Sequence, residues 1–382
     1  MVSPLFPPRQ GGLADHTERL AAELTGIAKV TVLTSAGAEA ARPDFTVRAA
    51  VRNWRDKAEV LAAIEAAAPA ADILWQYVPH MYGRGGVNAA VPETMAALRA
   101  RGRRQLVIAH EIAAPFSPWP QRAWYAAVHR RQWRRILRWA DWVGISTEAW
   151  LDQWAPQLPC MAGRVSLAPS PATIPVTRVE NSFGEQWRQQ RGWRADTPVL
   201  GCFGSLCTSP RFDWVLRAWQ GSQRPDRPVA LLAVGRSDAP ALPPELSRLA
   251  RFAGFEPADE VSRLLQATDV LALPFLDGVS ERRTTFMAGL SHGRAIATTV
   301  GHNTGMTLRK AGFFRAVAAD RAGAFAALVE ELLDDAPQRA RLGAAAREAY
   351  AADYDWPVVV RAIQRGLELG PAGQAGEIGL AT

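Results

Sequence analysis

The chain has 382 residues, 48 % hydrophobic and 21 % charged, with a formal net charge of +7. That composition is ordinary for a globular protein, and the length exceeds what one hydrophobic core usually serves, so two domains are expected. Only Lys29, Lys57 and Lys310 are lysines, so the excess is arginine, which suits bidentate phosphate and carboxylate binding but also reflects a GC-rich genome. Cys160, Cys202 and Cys207 have no metal-ligand spacing, and their odd number argues against a disulfide framework and for a reducing compartment. No stretch approaches the ~18 consecutive apolar residues of a membrane span. The start lacks the basic-then-apolar layout of a signal peptide, so a cytoplasmic location is expected. The arginines are dispersed without an aromatic–basic module, which excludes a nucleic-acid partner.

Along the chain, Met1–Phe6 precedes a Pro-rich turn and is short for a central strand: either the first strand is a stub or the start has cut it. Helices are predicted at Asp15–Leu24, Asp56–Ala67 and Val91–Arg101. Strands are predicted at Val30–Leu33, Phe45–Ala49, Ile73–Tyr77, Gln105–Ala109 and Trp142–Ile145. This βαβα rhythm calls for a parallel sheet with helices on both faces. A helix over Trp124–Trp139 places Trp133, Ile136 and Leu137 on one side and Arg130, Arg131, Arg134, Arg135 and Arg138 on the other. Such a helix either lies on an anionic membrane or packs on its own domain.

Residues 168–195 are rich in Pro and polar residues and predict a linker with a surface helix. A second series follows: strands at Pro198–Phe203, Val229–Val234, Arg251–Phe255, Val270–Phe275, Ala295–Val300 and Phe314–Val317. Helices alternate with them at Phe212–Gln220, Pro244–Ala250, Ala258–Ala267 and Thr284–His292, and Ala322–Leu333 and Gln338–Ala351 close the series. The domains expected are 1–178 and 195–352, with a C-terminal helix near 356–370 packing back on the first and a disordered tail at 371–382.

The stretch 269–301 carries the most chemistry. Its loop, at the carboxyl end of a strand where open α/β sheets bind ligands, supplies Asp277, Gly278, Ser280, Arg282, Arg283, Thr284 and Thr285. A helix start with free N–H groups, two guanidinium groups and hydroxyls suits a phosphate or diphosphate. The alternative is solvated arginines beside a threonine cap. Near the other end, Gly11 and Gly12 precede a helix whose first turn carries Asp15, His16 and Thr17, which is either a ligand loop or a tight turn.

The ordered series PPRQGGLADHTERLAAEL, AHE (Ala109–Glu111), ISTEAW (Ile145–Trp150), GCFGSL (Gly201–Leu206), ALLAVGR (Ala230–Arg236), RFAGF (Arg251–Phe255), ATDVLALPF (Ala267–Phe275) and YDW (Tyr354–Trp356) resembles the retaining glycosyl transferases group 1. The resemblance covers nearly the whole chain. It implies an α/β GT-B fold, two Rossmann-like domains facing across a cleft, with a nucleotide-sugar donor such as a UDP- or GDP-sugar on the C-terminal domain.

By the same resemblance, Gly11, Gly12 and His16 belong to a loop that reaches the donor diphosphate. His110, with Glu111 beside it, lies near the transferred sugar, or else His110 is a buried strand-end histidine. Gly204 and Ser205 offer backbone amides, Arg211 and Arg236 clamp phosphates, and Gly254–Phe255 meet the base. The acceptor would be a carbohydrate or, if the basic helix over Trp124–Trp139 makes peripheral contact at the inner membrane face, a lipid-linked molecule. Transfer would retain configuration without a metal, a further cofactor or a protein nucleophile, the leaving group being stabilised electrostatically.

The departure lies at the family's paired glutamates, whose positions hold Ser280 and Ala288, with Glu281 one place off. A sub-group with a Ser-x-Arg-Arg loop fits this pattern. The loss favours, as alternatives, a non-catalytic protein that binds nucleotide-sugar or a partner, or an epimerase on the same scaffold.

Overall fold

A computed structural model describes residues 1–9, 11–38, 41–115, 118–157, 161–236 and 240–369. The chain forms two compact units: Met1–Ser170 joined by the segment from Trp356 onward, and Pro171–Asp355. The tail 371–382 and Cys160 lie outside the described residues.

The first unit holds strands β1 (Thr31–Ser35), β2 (Thr46–Val51), β3 (Ile73–Tyr77), β4 (Gln105–Ala109), β5 (Trp142–Ile145) and β6 (Val165–Leu167). β1 pairs with β2, and β3 to β6 pair in chain order, all parallel. Where a strand over Met1–Phe6 is expected, only Val2 bridges, to Leu33 on one side and Trp75 on the other. Its N–H donates to the Leu74 carbonyl at 2.8 Å and its carbonyl accepts from Gln76 at 3.0 Å, so a stub joins the two halves of the sheet. Counting that stub as the first strand, the order is 3-2-1-4-5-6-7, a doubly wound sheet. Strands β3, β4 and β5 are buried along their whole length, as apolar runs covered on both faces require.

Helices of seven or more residues among the described residues of Met1–Ser170 are α1 (Gly12–Leu24), α2 (Lys57–Ala67), α3 (Ala90–Ala100), α4 (Pro120–Trp139) and α5 (Glu148–Trp154). α4 starts earlier than periodicity predicts because Pro120 takes the first helical turn, where its missing N–H costs nothing. α5 and β6 escape prediction: the strand is only three residues long, too short for a period to show.

The second unit carries α6 (Phe183–Gln189), β7 (Val199–Phe203), α7 (Phe212–Gly221), β8 (Ala230–Val234), β9 (Ala250–Gly254), α8 (Ala258–Gln266), β10 (Val270–Leu273), α9 (Thr284–Ser291), β11 (Ala295–Val300), β12 (Arg315–Ala318), α10 (Ala322–Asp334) and α11 (Ala336–Ala349). The sheet order is β12-β11-β10-β7-β8-β9, every pairing parallel. The chain reverses direction of sheet growth between β7 and β10, which makes their carboxyl ends the switch point where ligands bind.

The surface helix expected in 168–195 is α6, with Glu185, Gln186 and Gln189 exposed and Trp187 on its inner side 4 % exposed beside Trp193 at 9 %, their rings meeting edge-on at 5.5 Å. Two indoles in so short a window gain more by burial than the polar residues around them lose. The helix expected over Pro244–Ala250 is only Pro244–Ser247, because Ala250 already pairs with Leu231 in β9. The last helix, α12 (Trp356–Glu368), returns to the first unit, where Gly366 lies so close to Trp142 that an added Cβ would stand 2.7 Å from its ring.

Candidate functional site

At the switch point of the second sheet, β7 ends and Gly204 turns with φ 77°. A Cβ there would lie 2.6 Å from Cγ2 of Thr285, so the loop after β7 rests on the first turn of α9. Gly235, φ 124°, packs against Gly204 and donates to the Gly254 carbonyl at 2.8 Å. Close backbone approach therefore gathers the loops after β7, β8 and β9 beside the start of α9.

The loop after β10 is stitched down independently. Val279 donates to the Thr299 carbonyl at 2.8 Å, and Asn303 donates through its backbone N–H to the Asp277 carbonyl at 3.0 Å. Asp277 is the organising side chain. It accepts from Arg282 at 3.2 Å, from Arg283, and from the Asn303 amide at 2.8 Å. Burial opposes its ionisation most strongly, but Arg283, the Asn303 amide and Arg282 outweigh that, holding the carboxyl below its ordinary range. Arg283 also lies 4.8 Å over the ring of Phe275 and Arg211 4.0 Å over Trp214, so two of the three cations rest on aromatic faces.

The result is a pocket of about 320 Å³ whose wall includes Ser205, Arg211, Arg282, Arg283, Thr284 and Thr285. Six residues predicted from three separate stretches of sequence are thereby brought together. No side chain caps α9, so its first N–H groups add to the same positive field. Three guanidinium groups on one wall have the chemistry that suits a multiply charged anion.

The other predicted residues of this unit stand elsewhere. Ser280 is fully buried, its Oγ without a hydrogen-bond partner among the described residues, and Glu281 is 1 % exposed. Arg236 is exposed beside Gly235, and Phe255 is 75 % exposed after the Gly254 turn. Sequence reasoning noted Asp277 only as a loop residue and missed Asn303 and Trp214. The spacing of Asp277 five and six residues before the arginine pair was the available signal. Asn303 had none, since it arrives from beyond the next strand.

In the first unit, Gly11 (φ 146°) precedes α1 without a side-chain cap, and Gly11 and Gly12 are both exposed. His110 follows β4 and is 8 % exposed. Its Nε2 meets the Gln76 amide oxygen and its Nδ1 the Ser170 hydroxyl at 3.3 Å. Glu111 is half-buried beside it, its N–H directed to the Tyr77 carbonyl at 3.4 Å.

His16 does not present a nitrogen to solvent. It is 2 % exposed, packs edge-on to His110 at 4.6 Å and near Trp356 at 5.2 Å, and neither ring nitrogen has a partner among the described residues. Burial lowers its pKa to about 3, so the imidazole is neutral at ordinary pH.

Among the described residues, no group of three or more His, Cys, Asp or Glu side chains could hold a metal ion, and no helix is long and apolar enough to cross a membrane.

This architecture is that of known enzymes. Anabaena HepE, solved in complex with UDP and glucose, is similar over 95 % of this chain and 97 % of its own, with a TM-score of 0.68 and 16 % identity. Sucrose-phosphate synthase from Thermosynechococcus elongatus is similar over 94 % and 92 %, at 0.67 and 16 %. WaaG, a glycosyltransferase involved in lipopolysaccharide biosynthesis, is similar over 96 % and 98 %, at 0.61 and 13 %. Identities this low establish fold: the chain has the GT-B architecture of two Rossmann-like units. The family model Glycosyl transferases group 1 matches residues 197–335. That match lies inside the second unit and covers its sheet from β7 to β12. No curated protein sequence matches the chain.

Proposed function

We propose that this chain is a glycosyltransferase that takes its sugar from a nucleoside diphosphate sugar bound at the carboxyl edge of the second sheet, and hands it to a carbohydrate or lipid-linked acceptor with retention and without a metal. The observation that carries this reading is the pair Arg282–Arg283, fixed by Asp277 at the uncapped start of α9. As the bond between the sugar's C1 and the phosphate oxygen breaks, negative charge grows on the departing diphosphate. Arg211, Arg282, Arg283 and the α9 amides face that charge, already oriented, so little reorganisation is needed at the moment of reaction. The acceptor oxygen bonds to C1 on the face the leaving group vacates, and its proton passes to a leaving phosphate oxygen. The neighbour solved with UDP-glucose supports this donor class. In the first unit we assign His110 to the sugar and Gly11–Gly12 to an anion.

Ser280 and Ala288, at positions where the family has glutamates, favour a second reading: a protein that binds nucleotide-sugar without turnover. Calorimetry against UDP, GDP, ADP and dTDP and their glucose conjugates, followed by assay of donor hydrolysis and transfer, separates the two. Saturable diphosphate binding with turnover supports transfer. Binding without any turnover supports the second reading, and no binding overturns both.

A further inference from the structure

Helix α4 divides its surface as its periodicity predicts, and two exposed indoles lie outside that pattern. Trp133, Ile136 and Leu137 are 0–4 % exposed and belong to the core of the first unit, so the apolar side that a membrane would take is already used by the fold. The outward side is different. Trp119 and Trp124 are 69 % and 55 % exposed, and Arg122, Arg131, Arg134, Arg135 and Arg138 are exposed with them. The 20 residues of the helix hold six arginines and no Asp or Glu. Arg135 pairs with Glu93 at 3.6 Å. Arg122, Arg131, Arg134 and Arg138 make no ion pair among the described residues. Trp124, Arg131, Arg134 and Arg138 are spaced by seven, three and four residues, one stripe along roughly 21 Å of helix.

We propose that this stripe is a docking surface for an anionic phospholipid bilayer. An indole has an apolar body and a polar N–H, and it settles at the headgroup level of a bilayer. The arginines behind the indoles meet lipid phosphates in a plane, which matches a straight stripe of cations. A nucleic-acid backbone would satisfy the arginines but leave two exposed indoles without a burial site. The proposal deepens the functional reading above, because α4 begins in the loop after β4, on the sheet edge that also carries His110. A bilayer seated there presents lipid headgroups to the edge that carries His110, the residue assigned above to the sugar.

The test is sedimentation of the full chain, without nucleotide, with vesicles of mixed phosphatidylglycerol and phosphatidylcholine and with phosphatidylcholine alone. The expected result is binding to the first, weakened by salt, and none to the second. Brominated lipid should quench part of the tryptophan fluorescence. The variant R131E/R134E/R138E should lose vesicle affinity by roughly a hundredfold, since each basic residue contributes about fivefold. W119S/W124S, altered only at exposed positions, should lose the bromolipid quenching while keeping its melting temperature.

Equal binding to neutral vesicles, unaltered binding by the charge-reversed variant, or tighter binding to duplex DNA than to the anionic vesicles would each overturn the proposal. Sugar transfer plays no part in these readouts, so its absence would count against the proposed function alone.

Discussion

The carboxyl edges of the two sheets share a topology and differ in how they treat charge. In the second unit, Arg282 and Arg283 keep 19 % and 29 % of their side chains exposed while tethered to Asp277. In the first unit, the ionisable groups His16 and His110 are 2 % and 8 % exposed. One edge holds permanent cations at its mouth. The other holds imidazoles inside, and burial keeps His16 from charging at all. A Rossmann edge becomes an anion receptor only where its cations stay partly in water and are fixed by a neighbour, because complete burial without a partner removes the charge itself.

The contrast breaks most sharply at the arginine pair. Arg282→Ala with Arg283→Ala should weaken binding of a nucleoside diphosphate on the order of a hundredfold, each charge-assisted hydrogen bond contributing about 1.5–3 kcal/mol. Calorimetry with UDP and GDP checks this, and unchanged affinity would remove the pair from the site.

Asp277→Asn should cost about 2 kcal/mol of stability near pH 7, since it removes the carboxylate charge to which both guanidinium groups are bonded. Because the fold lowers the carboxyl's pKa, its stabilisation is complete above the unfolded value and fades as pH falls through the folded one. The stability gap between parent and variant should therefore close on acidification below about pH 4. A gap that persists in denaturant melts at low pH would deny Asp277 its electrostatic role.

At the neutral edge the effect is confined to acid pH and leaves nucleotide binding untouched. The unfolded His16 takes up a proton near the ordinary histidine value of 6.5, whereas the folded one resists to about 3. The unfolded state thus binds more protons in that window, and the parent should lose up to about 1.4 kcal/mol per pH unit as pH falls through it. His16→Phe should flatten this slope without changing nucleotide affinity. A parallel slope in the variant would show that His16 is not the titrating group.

Much of this was legible in order and composition. Ile73–Tyr77, Gln105–Ala109, Trp142–Ile145 and Ala295–Val300 begin and end where their apolar runs do, because a parallel strand covered on both faces must be apolar throughout. Gly293, the predicted helix stop, has φ 61°. The Ser280–Thr285 loop stood out because arginines and hydroxyls are rare between a buried strand and a helix. What failed was short or partnered at a distance: Val2 is a strand of a single bridge, β6 has three residues, and Trp187 looked like part of a polar linker.

The sequence by itself determined that the chain alternates strand and helix twice over, and that one loop carries the cations. It could do so because burial period, turn residues and side-chain charge are local properties. Only the tertiary structure decided which cations share a pocket, that Asp277 and Asn303 hold them, that His16 is sealed, and that the apolar side of α4 packs on its own domain. Each of these depends on which segments meet across the fold, and a side chain's charge and exposure are set by those neighbours.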